Sequence, residues 1–588
     1  MFIKTTRSGK YEYLQIVSSK RVNGVTRHDV LMNLGRKDEV RNNPLLKKLV
    51  IKLSEITGLS SSNSFSDLSS AVIRNWGYVV YKVLWKSLKL DTCLENIRTT
   101  DSKAKFNLSQ TTFLMVIQHL LNPMSKLKTF NHQSRYVKLP ELKLQHLYRS
   151  LDILSKSKDE IEKHIFSQNY DLFNCEIDVV FYDVTTFYFE SVKQNDLKDF
   201  GYSKDNKFKE VQVVMGLLID QNGFPIGYEL FPGNTFDGST MIKALNNLKK
   251  RFGIRRVIIV ADRGLNSKIN LKMIKDANYG YIVASRIRKM NDKIRKEILS
   301  PEGYFEMQVN SQGKGFNNNN YINNDSKSDN NNYISNDSNS KNNNKNGKNK
   351  SPEKLLCKVM DYVNTVKDQF GIKHELDENL IITYSEKRLT KDRADRERLI
   401  EKTNKLLNRP GIINANIKRS GLKYLKSDED ELKNIKWLLD EEGIEKDELL
   451  DGYYGIQTSE KNIDIADILD SYHTLWKIEE SFRIMKNTLE VRPIFHWTEN
   501  RIKGHFVVCF LSFLLERKLE SRLISEGITE ASPDRTREAL NSLEFAEVEM
   551  NNNRYYIKTK GTDLSNKILK TMHIQTLKNV LTPDEFDV

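Results

Sequence analysis

Within the segment YHTLWKIEESFRIMK, Tyr472, Glu479 and Lys486 recur at seven-residue spacing. Seven residues is close to two turns of an α-helix. A helix through the segment therefore puts all three on one face, with Trp476 and Arg483 on the same stripe. A carboxylate flanked by a phenol and two cations suits a surface that holds a metal ion beside a phosphate. It suits an ordinary solvated helix face equally well. Two further acids stand in apolar surroundings: Asp183 interrupts the β-prone run FYDVTTF, and Asp262 ends VIIVAD. A carboxylate in a buried strand costs free energy unless it is hydrogen-bonded, paired or bound to a cation. Taken singly, Asp183 reads as readily as a structural aspartate, and Asp262 as a loop acid. Taken together, two strand-borne carboxylates and one on a helix make a cage for two hard divalent ions, Mg2+ or Mn2+. Without cations, carboxylates about 4 Å apart repel by roughly 4 kcal/mol at an effective dielectric of 20. Two ions would remove that penalty and stabilise the attacking and leaving oxygens at phosphorus, generating hydroxide from water or alkoxide from a 3′-hydroxyl. Glu480 competes as a ligand but sits about 100° round the helix.

The rest of the chain bounds the setting. Its 588 residues exceed one hydrophobic core and predict three or four folding units. A net charge of +15 and a pI near 9.2 favour a polyanionic partner, most simply nucleic acid. Cys93, Cys175, Cys357 and Cys509 form no CxxC pair, which argues against a zinc site or a disulfide framework and fits a reducing cytosol. The start, MFIKTTRSGKYEY, lacks the apolar core of a signal peptide. The run HFVVCFLSFLL is too short for a bilayer span and reads as a buried helix. A cytoplasmic protein without membrane association is expected.

Alternating apolar and polar positions around Gly9 and Asn23-Gly24 predict a β-hairpin region over 1–40. Three- and four-residue apolar spacing predicts a mainly helical stretch over 41–170. Strand character returns at EIDVVFYDVTTFYFE, followed by a hairpin turning at Asn222-Gly223, a helix near 238–252, the short strand before Asp262, and the strand GYIVASR. That order gives an α/β class with a mixed sheet covered by helices. Residues 317–349 hold 16 asparagines in 33 positions, too little apolar surface to offset ordering, so a disordered tract is expected within 311–352. The segment SEKRLTKDRADRERLIEKTNKLL predicts a strongly charged helix.

DVTT at Asp183, ADRG at Asp262 and YHTLWKIEESFRIMK together resemble the DDE transposases of bacterial insertion sequences. The last segment is similar to the Y-x2-R-x3-E-x6-K motif of the insertion-sequence-four type group, and Leu475 stands where that motif has Arg. GYSKDNKFKEVQVVMG, FPGNTFDGST, YSEKRLTKDRADRERLIEK and RPIFHWTENRIKGH extend the resemblance over about 110–515. It implies a ribonuclease H-like core in two parts, 171–290 and 456–525, interrupted by an insertion domain over 291–455. Residues 526–588 are left as a C-terminal tail.

The resemblance further implies that Asp183, Asp262 and Glu479 are catalytic metal ligands, with Tyr472, Arg483 and Lys486 on phosphates near the cleaved end. Arg483 is the candidate to supply the cation that Leu475 lacks. Region 41–170 is assigned to binding the element's ends. Double-stranded DNA, as terminal inverted repeats and target, is the implied partner, with a homodimer on paired ends. Trp476 is expected in the core. His473, His496 and His505 are expected to be structural or DNA-facing rather than metal ligands, and Lys204 and Lys207 read as DNA contacts or a solvated loop. Two other functions share these motifs: an inactive transposon-derived DNA-binding protein, and a stand-alone nuclease on the same core.

Overall fold

The computed structural model describes residues 2–22, 25–57, 71–100, 103–169, 179–201, 209–235, 237–252, 257–264, 266–309, 316–317, 354–368, 370–408, 423–429, 435–550 and 553–586. The Asn-rich tract, save its first residue, and Lys204 and Lys207 lie outside them. Two compact units divide the chain: residues 1–80, 134–139 and 538–588 in one, residues 81–133 and 140–537 in the other.

The predicted hairpin region forms a three-stranded antiparallel meander of β1 (Phe2–Ser8), β2 (Tyr11–Val22) and β3 (Val25–Arg36). Helices α1 (Lys37–Asn42) and α2 (Pro44–Ile56) follow, then the strand β4 (Val72–Asn75). The helical stretch continues as α3 (Val79–Ser87), α4 (Leu90–Thr100), α5 (Leu108–Leu121), α6 (Lys126–His132), α7 (Leu144–Lys156) and α8 (Lys158–Asn169). Asn107 starts α5 by accepting from the Gln110 amide at 2.8 Å. The helix is then buried on almost every side, which is why its sequence is apolar all round rather than striped.

The sheet that carries Asp183 is built on β5 (Val179–Tyr188), β6 (Gln212–Asp220), β7 (Pro225–Pro232), β8 (Ile258–Ala261) and β9 (Gly280–Ala284). β5, β6 and β7 are antiparallel neighbours, whereas β5–β8 and β8–β9 are parallel. α9 (Asp237–Phe252) joins β7 to β8, and α10 (Lys268–Asp276) joins β8 to β9. An antiparallel meander continued by parallel strands with helical crossovers is the ribonuclease H-like arrangement. The β6–β7 turn falls at Asn222-Gly223 as predicted: Asp220 Oδ1 accepts from the Asn222 and Phe224 amides at 2.8 Å, and Gly223 takes a φ of +86°. Strand alternation sorts the two faces of β5. Val180, Tyr182 and Val184 pack with Ala244, Leu245, Leu271 and Ile274. Asp183 and Phe187 point the other way, where Phe187 meets Phe506.

The insertion region contains α11 (Asp292–Leu299), β10 (Phe305–Val309), β11 (Phe316–Asn317), β12 (Lys354–Lys367), β13 (Lys373–Tyr384), α12 (Glu386–Leu407), β14 (Leu425–Glu429), β15 (Ile435–Leu439) and α13 (Glu441–Glu448). Its main strands do not form a sheet of their own. β16 (Tyr453–Thr458) pairs antiparallel with both β13 and β9, so one sheet runs β11-β10-β12-β13-β16-β9-β8-β5-β6-β7 among the described residues.

After β16 come α14 (Ile465–His473), α15 (Trp476–Arg483), a π-helical turn over Ile484–Thr488 and α16 (Glu499–Ser525). α16 holds the predicted buried run His505–Leu515 and crosses α7 and α5. Gly504 permits the α7 crossing, because a Cβ there would stand 2.0 Å from the Leu151 carbonyl oxygen. Among the described residues, no helix is long and apolar enough to cross a membrane.

The expected C-terminal tail is folded. α17 (Pro533–Asn541), β17 (Glu544–Met550), β18 (Asn553–Lys558), α18 (Asp563–Thr571) and β19 (Val580–Leu581) close a sheet of order β19-β18-β17-β4. The Asn75 amide donates to the Leu540 and Leu543 carbonyls at 3.0 and 3.1 Å, Trp76 stacks on Phe545, and Arg74 pairs with Glu547. The alternation in EFAEVEM and NRYYIK carried the missed signal.

Candidate active site

β5 and β8 are paired in parallel through Phe181↔Val260. Asp183, still within β5, and Asp262, just past the end of β8, each follow that last pair by two residues. Asp183 is half-buried within β5, and its Oδ1 accepts from the Val184 amide at 2.8 Å. Asp262 lies just past the last paired residue of β8, where the backbone leaves the sheet. It is exposed, and its Oδ1 accepts from the Gly264 amide at 2.7 Å. Glu479 sits in the first turn of α15, the helix that packs on β5, while α14 packs on β8 and β9.

The two neighbouring glutamates are sharply distinguished. Glu480 is held in ion pairs, with Arg517 at 3.1 Å and Arg483 at 3.3 Å. Glu479 is exposed and makes no hydrogen bond or ion pair among the described residues. Glu479 is thus the carboxylate available to a ligand, in agreement with the seven-residue spacing.

The straight stripe expected of this segment is corrected. Tyr472 belongs to α14. Leu475, Lys477 and Ile478 donate to carbonyls three residues back, and Leu489 donates five residues back. Tight turns before α15 and a wide turn after it rotate Tyr472 and Lys486 away from an ideal 3.6-residue register. Tyr472 is half-buried, and its hydroxyl meets that of Tyr454 at 2.6 Å. Burial above all, and then the Tyr454 hydroxyl, pushes its pKa well above the ordinary tyrosine range. One hydroxyl of such a pair donates to the other, and the accepting hydroxyl keeps its own proton for a further acceptor. Lys486 Nζ lies 5.8 Å from the Phe187 ring, along the same face of β5 as Asp183. Arg483 is 68% exposed. Trp476, expected in the core, is 51% exposed instead, and Leu475 is the buried neighbour at 9%.

Two arginines escaped the sequence reading. Arg263, next to Asp262, lies 5.1 Å from the Tyr454 ring, and Arg388 of α12 lies 4.3 Å from the same ring. Arg263 stood in the quoted ADRG motif and Arg388 in the charged helix. Their convergence on Tyr454 is a product of the shared sheet, which sequence spacing does not reveal.

Among the described residues, the one set of three His, Cys, Asp or Glu ligand atoms within 4.8 Å of one another is His119, His505 and Cys509. Asp183, Asp262 and Glu479 do not form such a set. The histidine cluster has its own role. His119 Nδ1 stands 3.1 Å from the Leu489 carbonyl and Nε2 3.1 Å from Lys126 Nζ, while His505 Nε2 stands 3.2 Å from the Val491 carbonyl. A neutral imidazole donating at Nδ1 and accepting at Nε2 has no lone pair left for a metal. Burial pushes His119 and His496 down to about 3. These buried rings brace the chain where it leaves the π-helical turn, as the structural expectation for His505 had it. His473, in contrast, is exposed.

The family model described as the transposase DDE domain matches residues 174–515, more than half of the chain. That described as the IS1634 family transposase N-terminal domain matches residues 2–59. Among curated proteins there is no significant match. Among solved structures, a piggyBac transposase synaptic complex with hairpin DNA is 8% identical, covers 80% of each chain and has a TM-score of 0.33. A Mos1 transposase paired-end complex with the left transposon end is 14% identical, covers 42% of this chain and 70% of that one, and has a TM-score of 0.14.

Proposed function

This chain belongs to the transposase DDE-domain family, and from that premise we propose that Asp183, Asp262 and Glu479 are its catalytic carboxylates. A DDE transposase is an enzyme that cuts DNA and transfers the cut strand with the help of divalent metal. The finer assignment is that these three residues hold two Mg2+ or Mn2+ ions and act on the terminal inverted repeats of the chain's own element. The donor set fits hard cations, since all of its ligand atoms are carboxylate oxygens. When bound, the ions supply charge stabilisation at the reacting phosphorus.

The parallel pairing of β5, which holds Asp183, with β8, which leads into Asp262, supports the assignment. Amide donors fix one oxygen of each aspartate in place. Glu479, without a competing partner, completes the set from the helix on β5. Arg483 and Lys486 hold backbone phosphate by charge, and the Tyr472–Tyr454 hydroxyl pair donates its remaining proton to a phosphate oxygen. Region 41–170 reads the element's ends, and two copies of the chain pair two ends so that both are cut in one complex.

The test uses labelled terminal duplex taken from the DNA flanking the coding sequence, with Mg2+. The parent chain should nick the end and join it to target DNA. Asp183→Ala, Asp262→Ala and Glu479→Ala should do neither. Undiminished cutting by any of the three refutes the triad.

A further inference from the structure

A cavity of about 590 Å³ opens beside this site, between the turn that follows β9 and the helix α12. Arg263 lines it, so its rim begins at the residue after Asp262. Its cations differ in how far they are already committed. Arg288 reaches Asp447 at 3.2 Å and Asp451 at 3.3 Å, Arg396 pairs with Glu448 at 3.2 Å and with Asp451, and Lys423 pairs with Asp447. These pairs knit the wall together.

Arg263 and Arg286 behave otherwise. Among the described residues, neither has a carboxylate within ion-pair distance, and the Arg286 guanidinium donates instead to the Arg263 carbonyl at 2.7 Å. Arg388 has only Asp392, at 3.5 Å, and its Nε is buried with no hydrogen bond. Burial lowers the Arg388 pKa; Asp392 and Tyr454 oppose that, and the neighbouring Arg263 and Arg288 add to it. Guanidiniums gathered in a concave, partly dry site are short of an anion.

We propose that this cavity binds a backbone phosphate of the DNA strand being cut, held by Arg263, Arg286 and Arg388. A guanidinium fork matches phosphate oxygens two at a time, which a lysine cannot do. Arg263 and Arg388 also flank Tyr454, whose hydroxyl bonds to Tyr472, so they surround the motif's tyrosine. They take over the task of the cation that the buried Leu475 cannot perform. The inference rests on the transposase reading above and adds a binding site shared between the core and the insertion region.

The experiment measures binding of the full chain to the terminal duplex across a salt series, for the parent, Arg388→Ala, Arg388→Lys and Arg286→Ala. Arg286 is exposed, so its loss leaves the fold intact even if Arg388→Ala lowers the melting temperature. Each alanine variant should bind about ten- to a hundredfold more weakly, with the log–log salt slope reduced by about 1. Arg388→Lys should keep the slope and lose part of the affinity. Neutral methylphosphonate linkages placed one at a time along the strand should reveal one position that weakens the parent and adds nothing in Arg388→Ala. Parent-like affinity and slope in both alanine variants, or additive methylphosphonate effects at every position, overturns the proposal. If the parent cuts and Asp183→Ala does not, that result removes the arginine site alone. Cutting by Asp183→Ala removes the transposase assignment of the triad instead.

Discussion

Glu479 and Glu480 are adjacent, yet their surroundings predict opposite consequences for the same substitution. Glu480→Gln removes the anion facing Arg517, whose side chain is 8% exposed. Arg517 keeps Glu520 at 2.5 Å and the Lys477 carbonyl at 3.3 Å. The loss is therefore one charge-assisted contact, at the lower end of its range, about 1.5 kcal/mol. A melting-temperature drop of a few degrees follows, while cutting persists. Glu479→Gln should leave stability within about 0.5 kcal/mol, because the side chain is exposed and unpartnered. It should slow cleavage by about 10³-fold, roughly 4 kcal/mol of transition-state stabilisation. Thermal melting and single-turnover cleavage of labelled terminal duplex, run on both variants, give the crossed result. Loss of cleavage without loss of stability in Glu480→Gln, with normal cleavage in Glu479→Gln, would refute the choice between them.

Three further outcomes are expected. Burial holds His119 down to about 3. Below pH 6.5 the unfolded chain therefore takes up a proton that the folded chain refuses, and stability falls as pH drops towards 3. The loss is about 2 kcal/mol at pH 5 relative to neutral pH, read from denaturation midpoints; equal pH slopes in the parent and His119→Asn would contradict it. Gly504→Ala should destabilise by about 1–3 kcal/mol, since its Cβ would meet the Leu151 carbonyl at 2.0 Å; an unchanged melting temperature would show that α7 can move aside. Tyr472→Phe should slow cleavage about tenfold through one lost hydrogen bond to phosphate, and a parent-like rate would exclude that contact.

The sequence carried the local pieces of the site, because period and turn chemistry are local properties. The alternation around Asp183, the Asn222-Gly223 turn and the break after Asp262 all came through. What it could not carry was rotation within the Tyr472–Lys486 segment. Ideal helical spacing assumes one hydrogen-bond pattern, and this segment changes pattern on both sides of Glu479. Trp476 was misplaced for the same reason: apolar type suggested burial, while the turn before α15 gave that place to Leu475. Arg263 and Arg388 were missed because their meeting depends on strand pairing between distant segments. The folded C-terminal segment was missed because its partner strand, β4, precedes it by more than 460 residues.

The order of strands in the large sheet has a consequence for synthesis on the ribosome. β9 is made early, but its neighbour β16 emerges only after residues 285–452 have been translated. At 5–20 residues per second, that edge waits roughly 10–30 s for its partner. Glu479 follows β16, so the last of the three carboxylates arrives after the scaffold has closed. A nascent or prematurely terminated chain would carry the aspartates without the glutamate. On the triad assignment proposed above, such a chain would lack one of its three metal-holding carboxylates.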